Sequence, residues 1–142
     1  MKTLLLTSFL VLVTAVMGQA FPGSTNTATV AFSNAPALNQ TDWKWRIFSA
    51  EDQNFTVTIS DVGDASNYYW QWRVVSITGT IFTVDNADIT ASGTSVSWSI
   101  YPTNTPPAGT YKSELKAYVT DTNGVRAVAG QGLITIIKSL LP

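Results

Sequence analysis

The residues of this 142-residue chain whose types and spacing suit chemistry are carboxylates and aromatic rings. Glu51 with Asp52, Asp61 with Asp64, and Asp85 with Asp88 form acidic pairs. Two carboxyl groups can hydrolyse a glycoside when they face each other about 5 to 10 Å apart across a cleft. Each pair here falls in a predicted turn or at a strand end, where aspartate bonds its own backbone, so acid/base catalysis is not expected. Asp61, Asp64 and Asn67 place hard oxygen donors on one loop and form a weak calcium candidate. They lack the regular alternate-position spacing of a calcium loop, so no metal is assigned to them.

The chain contains no histidine and no cysteine. That removes the commonest general base, the usual zinc ligands and every thiol nucleophile. Its many serines and threonines have no imidazole to activate them, and no Gly-x-Ser-x-Gly elbow occurs. Gly130-Gln-Gly132 lies in a strand pattern with no helix after it, unlike a loop that cradles phosphate. The expectation is a protein that is not an enzyme and carries no cofactor.

Five Trp, five Tyr and six Phe are the remaining chemistry. Trp43 and Trp45 share one strand face, as do Trp70 and Trp72, and an exposed pair of this kind can stack against sugar rings. Trp70, Trp72, Val74 and Trp98, in line with Val96 and Ile100, are expected to line a core. Trp43 and Trp45 precede the most regular strands and are the better surface candidates, joined by Tyr68 and Tyr118 as candidate binding residues. Asn39-Gln-Thr41 and Asn54-Phe-Thr56 match the N-glycosylation pattern, but such short patterns arise by chance and carry little weight.

The elements that must position these side chains read as strands. Trp43 to Phe48 alternates Trp43, Trp45 and Ile47 against Lys44 and Arg46. Asn54 to Ser60 alternates Phe55, Val57 and Ile59 against Asn54, Thr56, Thr58 and Ser60. Tyr68 to Ile77 is a long aromatic and β-branched run, followed by Thr80 to Val84, a turn at Asp85 to Asp88, and Ser95 to Tyr101. Three prolines keep the connection at 102–109 out of any ladder. Thr110 to Thr120 places Tyr111, Leu115, Ala117 and Val119 inward and Lys112, Glu114, Lys116 and Tyr118 outward. Asp121-Thr-Asn-Gly124 is a hairpin signal. Val125 to Lys138 is the last strand, with Gly130 and Gly132 marking a bulge or a close backbone approach. The sum is an all-β chain, read as an antiparallel immunoglobulin-like β-sandwich of about seven or eight strands.

Residues 1–20 form the signal-like apolar segment that precedes this sandwich. Lys2 gives it a positive start, and Leu4 to Val16 is too short for a membrane span of roughly 20 apolar residues. Cleavage after Gly18 and after Ala20 both fit, and no stable membrane span is expected once it is removed. Residues 21–42 form an extended arm with one strand at Thr27 to Ser33, and residues 43–142 form the sandwich. Without Lys2, seven basic side chains stand against nine acidic ones, a net charge of -2. That balance lacks the cationic field that phosphate binding requires, so nucleic acid is not an expected partner.

From about Phe48 to Ile137 the order of signals resembles the immunoglobulin-like N-terminal domain of phage baseplate upper proteins and related tail modules. The residues that carry it are Ala50-Glu-Asp-Gln-Asn-Phe-Thr-Val-Thr-Ile-Ser-Asp61, Trp72-Arg-Val-Val, and Ala91-Ser-Gly-Thr-Ser-Val-Ser-Trp98. Pro107-Ala-Gly-Thr-Tyr-Lys-Ser-Glu-Leu115 is the most specific piece, followed by Thr120-Asp-Thr-Asn-Gly124. The resemblance implies a non-catalytic, virion-associated module whose partners are other protein subunits of an assembly; apart from it, a homo-oligomer is a further candidate. The signal-like segment supports an alternative, a secreted bacterial protein that binds carbohydrate or a cell surface. The expected location is correspondingly exported and extracellular, or in the virion.

Overall fold

The computed structural model describes residues 24–32, 41–101, 103, 105–119 and 126–138. The signal-like segment, most of the arm beyond residue 32, and the Asp121–Gly124 turn lie outside them. Nine strands follow in order: β1 (Ser24–Ala31), β2 (Trp43–Phe48), β3 (Gln53–Ser60), β4 (Tyr69–Ser76), β5 (Gly79–Val84), β6 (Ile89–Ser92), β7 (Ser95–Ile100), β8 (Gly109–Tyr118) and β9 (Arg126–Ile137). Short 3-10 turns at Ala65–Asn67 and Asn86–Asp88 interrupt them. The strands form a four-stranded sheet, β1-β3-β7-β6, and a five-stranded sheet, β2-β9-β8-β4-β5. Among the described residues no helix is long and apolar enough to cross a membrane.

Two features correct the sequence reading. Among the described residues the strands number nine, because Ile89-Thr-Ala-Ser92 is too short to stand out from the turns beside it yet pairs with β7 from Ile89↔Trp98 to Ser92↔Ser95. The sheets are also mixed, not antiparallel throughout. The chain passes from β1 in one sheet to β2 in the other and back to β3, so β3 returns beside β1 in the same direction. β2 likewise runs parallel to β9, a pairing that only a long connection permits. The arm thus contributes β1 to the sandwich, with Val30 buried and Ala28 and Phe32 packed on the core.

Strand parity does most of the construction. On β2 and β3 buried and exposed side chains alternate, as apolar and polar residues do in the sequence apart from exposed Phe48 and buried Gln53. Inward residues of both sheets meet in one core. Phe55 is its hub, stacked on Trp98 with ring centroids 5.4 Å apart and lying 5.0 Å from Trp45 and 5.2 Å from Trp72. Each such aromatic pair contributes about 0.5 to 1.5 kcal/mol beyond its buried area. Trp70, Trp72, Val74, Val96, Trp98 and Ile100 are buried in this core, as their spacing implies.

The two glycines of β9 have a steric cause. A Cβ on Gly130 would lie 2.6 Å from Cζ3 of Trp43, and one on Gly132 would collide with the carbonyl oxygen of Trp43. The expected close backbone approach is therefore the seating of Trp43, and the expected bulge lies next to it on β9, where Ala129 is the extra residue between the pairs Leu115↔Gly130 and Lys116↔Val128. Gly132→Ala is expected to cost about 1 to 3 kcal/mol, the usual penalty for overpacking a filled site. Chemical denaturation should show a lower midpoint at an unchanged slope, and an unchanged midpoint would mean that β2 and β9 separate freely.

Candidate functional site

Three of the four aromatic residues singled out as binding candidates turn inward or are covered. Trp43 is 4% exposed and Trp45 6%, because both take the inward parity of β2. Their rings stack at 4.7 Å. The indole N–H of Trp43 donates to Ser113 Oγ at 2.7 Å and that of Trp45 to the carbonyl of Thr27 at 3.2 Å. The expectation that they form a surface platform is corrected: pairing β2 with β9 turns that face onto the core. Tyr118 keeps its outward parity but is only 1% exposed, and its hydroxyl donates to Gln71 Oε1 at 3.1 Å. Val119, expected inward, is exposed just beyond the end of β8. Tyr68 is half-buried between Phe32 and Trp70.

The Asp61–Asn67 loop is a capped turn. Asp64 Oδ1 accepts from the backbone N–H of Ser66 at 2.9 Å and of Gly93 at 3.2 Å, tying this loop to the β6–β7 hairpin. Asp61 makes the turn itself, with φ of 62°. Among the described residues no three histidine, cysteine or acidic side chains are placed to hold a metal ion. The other acidic pairs are also spread along loops. Glu51 Oε2 accepts from Ser24 Oγ at 3.2 Å, and Asp85 Oδ1 accepts from Gln71 Nε2 at 2.6 Å.

Sequence reasoning missed what the outer faces of the two sheets become. On the five-stranded sheet the outward positions of β2, β4 and β8 carry Lys44, Arg46, Arg73, Lys112 and Lys116. The register aligns Lys44, Leu133, Lys112 and Val75 across four strands. The carboxylate among these outward positions is Glu114, 3.0 Å from Lys116 Nζ. Phe48, 43% exposed, adds an apolar flank. The four-stranded sheet is the opposite. Its outward residues, among them Thr27, Thr56, Ser97 and Thr90 in one row and Thr29, Thr58, Ser95 and Ser92 in the next, are uncharged and almost all hydroxylated. Each residue's outward parity was legible; their gathering by type was not.

At the β5 side of this uncharged sheet a groove of about 560 Å³ opens. β6 reaches β7 only as far as Trp98, so Ser99 and Ile100 have β3 on one flank and the groove on the other.

No family model matches the chain, and a search of curated proteins found no match. Among solved structures it is similar to the N-terminal domain of phage TP901-1 ORF48, with a TM-score of 0.50 and 7% identity, covering 80% of this chain and 98% of that one. What is shared is the fold. A multicopper oxidase, at TM-score 0.36 and 8% identity, overlaps 82% of this chain and 45% of its own length. Reduced rusticyanin, at 0.36 and 11%, overlaps 82% of each.

The caps on Asp64 make stability pH-dependent. Hydrogen bonds from Ser66, and then from Gly93, hold its carboxyl below the usual 3.8. A folded-state pKa below the unfolded one means that the ionised form favours folding. This contribution is fully present above the unfolded value and is lost as pH falls through the lower folded value. Asp64→Asn should therefore melt below wild type at neutral pH, with the gap closing as pH is taken below 3.8. A gap that stays constant across that range would contradict the assignment.

Proposed function

We propose that this chain is a non-catalytic, immunoglobulin-like interaction module of a phage particle, which docks on an acidic protein subunit through the outer face of its five-stranded sheet. The observation that carries this reading is the concentration of Lys44, Arg46, Arg73, Lys112 and Lys116 among Leu133, Val75 and Phe48 on the outward face of one sheet, in a chain whose overall charge is -1. Most acidic side chains lie on turns and connections, so the face is not self-neutralised. Such a patch steers an acidic partner at long range and fixes its register on contact. The fold shared with a phage domain supports placement in a particle. The sequence holds no histidine and no cysteine, and its acidic pairs sit on turns, in keeping with a structural role.

Particles purified from the source culture should contain the protein at fixed stoichiometry. The double variant Lys44→Glu/Lys112→Glu, which reverses two exposed charges, should fold with an unchanged melting temperature and be depleted from particles by at least about tenfold. Raising the salt concentration should release wild-type protein, because exposed charge pairs are screened within about 10 Å at 0.1 M. Protein recovered only free in the medium, or a double variant incorporated like wild type, would overturn the reading.

A further inference from the structure

The groove beside β7 is not part of the basic face and calls for a different ligand. It is lined by residues 54–56 of β3 and 97–100 of β7, by Phe82 and Val84 of β5, and by Asp88, Thr90 and Tyr101. Its volume of about 560 Å³ falls within the range of small-ligand sites, roughly 300 to 1,000 Å³. We propose that this groove binds a neutral saccharide, as a site distinct from the docking face.

The chemistry of the lining selects that class. Thr56, Ser97 and Thr90 lie side by side across three strands. Hydroxyls both donate and accept, so such a row complements the vicinal hydroxyls of a sugar in either orientation. Asn54, exposed on β3, is held in place: its Oδ1 accepts from Ser99 Oγ at 2.7 Å, which leaves its Nδ2 as the donor end of the amide. It presents a fixed donor to the groove. Tyr101 is 54% exposed and offers an aromatic face to the C–H side of a sugar ring. No lysine or arginine lines the groove, and the exposed carboxylate of Asp88 repels anions while accepting hydroxyl bonds strongly. A polyanion is therefore disfavoured and an uncharged glycan fits.

The side of the groove is fixed before any ligand arrives. The connection from β5 to β6 is anchored where Asn86 Oδ1 accepts the backbone N–H of Trp70 at 2.8 Å and Asp85 accepts from Gln71. Phe82 meets Trp72 edge-on at 6.2 Å, and Trp98 itself lines the groove. An occupant therefore lies close to the aromatic cluster, and its binding should register in tryptophan emission.

The full-length protein should be titrated with a panel of neutral oligosaccharides (glucose, mannose and N-acetylglucosamine oligomers) and with a sulfated oligosaccharide as the anionic counterpart. Amide NMR shifts and tryptophan fluorescence serve as readouts. At least one neutral sugar should give saturable shifts centred on Asn54, Thr56, Ser97 and Ser99, with no response to the sulfated one. Thr56→Lys and Asp88→Lys, both at solvent-accessible positions, should each weaken binding by at least about tenfold without changing the melting temperature, whereas Lys138→Gln should bind as wild type does. A flat response to every neutral sugar at about 10 mM would overturn the proposal. So would shifts confined to another surface, binding of the sulfated sugar alone, or undiminished binding by both groove variants.

Discussion

The seating of Trp43 against β9 is the contact on which the rest of the sandwich depends. The fused indole of Trp43 packs so close to β9 that a Cβ at position 130 or 132 would clash with it, and Gly130 and Gly132 leave that space open. Ser113, opposite Gly132 on β8, accepts the indole N–H, so the ring is buried without an unmet donor. Asp42, one residue before, exchanges hydrogen bonds with the backbone of Gln131: its N–H donates to the carbonyl at 2.8 Å and its Oδ2 accepts from the N–H at 2.9 Å. These contacts hold β2 parallel to β9 and so decide that Trp43 and Trp45 face inward while Lys44 and Arg46 face out.

The same arrangement explains how a chain without cysteine holds two sheets together. The inter-sheet space is filled by large rings: Trp45, Phe55, Trp72 and Trp98 meet at centroid distances of 5.0 to 6.2 Å. Dense aromatic packing has a cost here. The indole N–H groups of Trp72 and Trp98 and the amide Nε2 of Gln53 are buried with no hydrogen-bond partner among the described residues. Each unmet donor costs about 1 to 3 kcal/mol. Fully burying a large apolar side chain returns about 1.5 to 3 kcal/mol, and stacking adds to that, so the rings stay inside.

With the core closed, the outer faces are free to diverge. One gathers five cations around a few half-buried aliphatic side chains; the other is a lattice of hydroxyls with strands about 4.8 Å apart. An electrostatic surface and a neutral hydrogen-bonding surface recognise different partners, which is why the proposed docking and saccharide sites fall on different parts of the domain. The fold shared with a phage domain is compatible with both uses, because function resides in surfaces set upon a fold.

The sequence by itself determined the strands and which side chains alternate along them, because parity within a strand is a local property. Trp43 to Ile47 and Asn54 to Ser60 are legible residue by residue, and the glycines of β9 announce a close approach without naming what approaches. Only the tertiary structure decided which strand lies beside which. The bonds that seat β2 join residues 89 apart, Asp42 and Gln131, and no local pattern encodes so distant a pairing. That pairing turned Trp43 and Trp45 from surface candidates into core, brought the arm's strand into the four-stranded sheet, and collected scattered lysines and threonines onto opposite faces. Burial and surface character are properties of neighbours in space, and those neighbours come from distant parts of the chain.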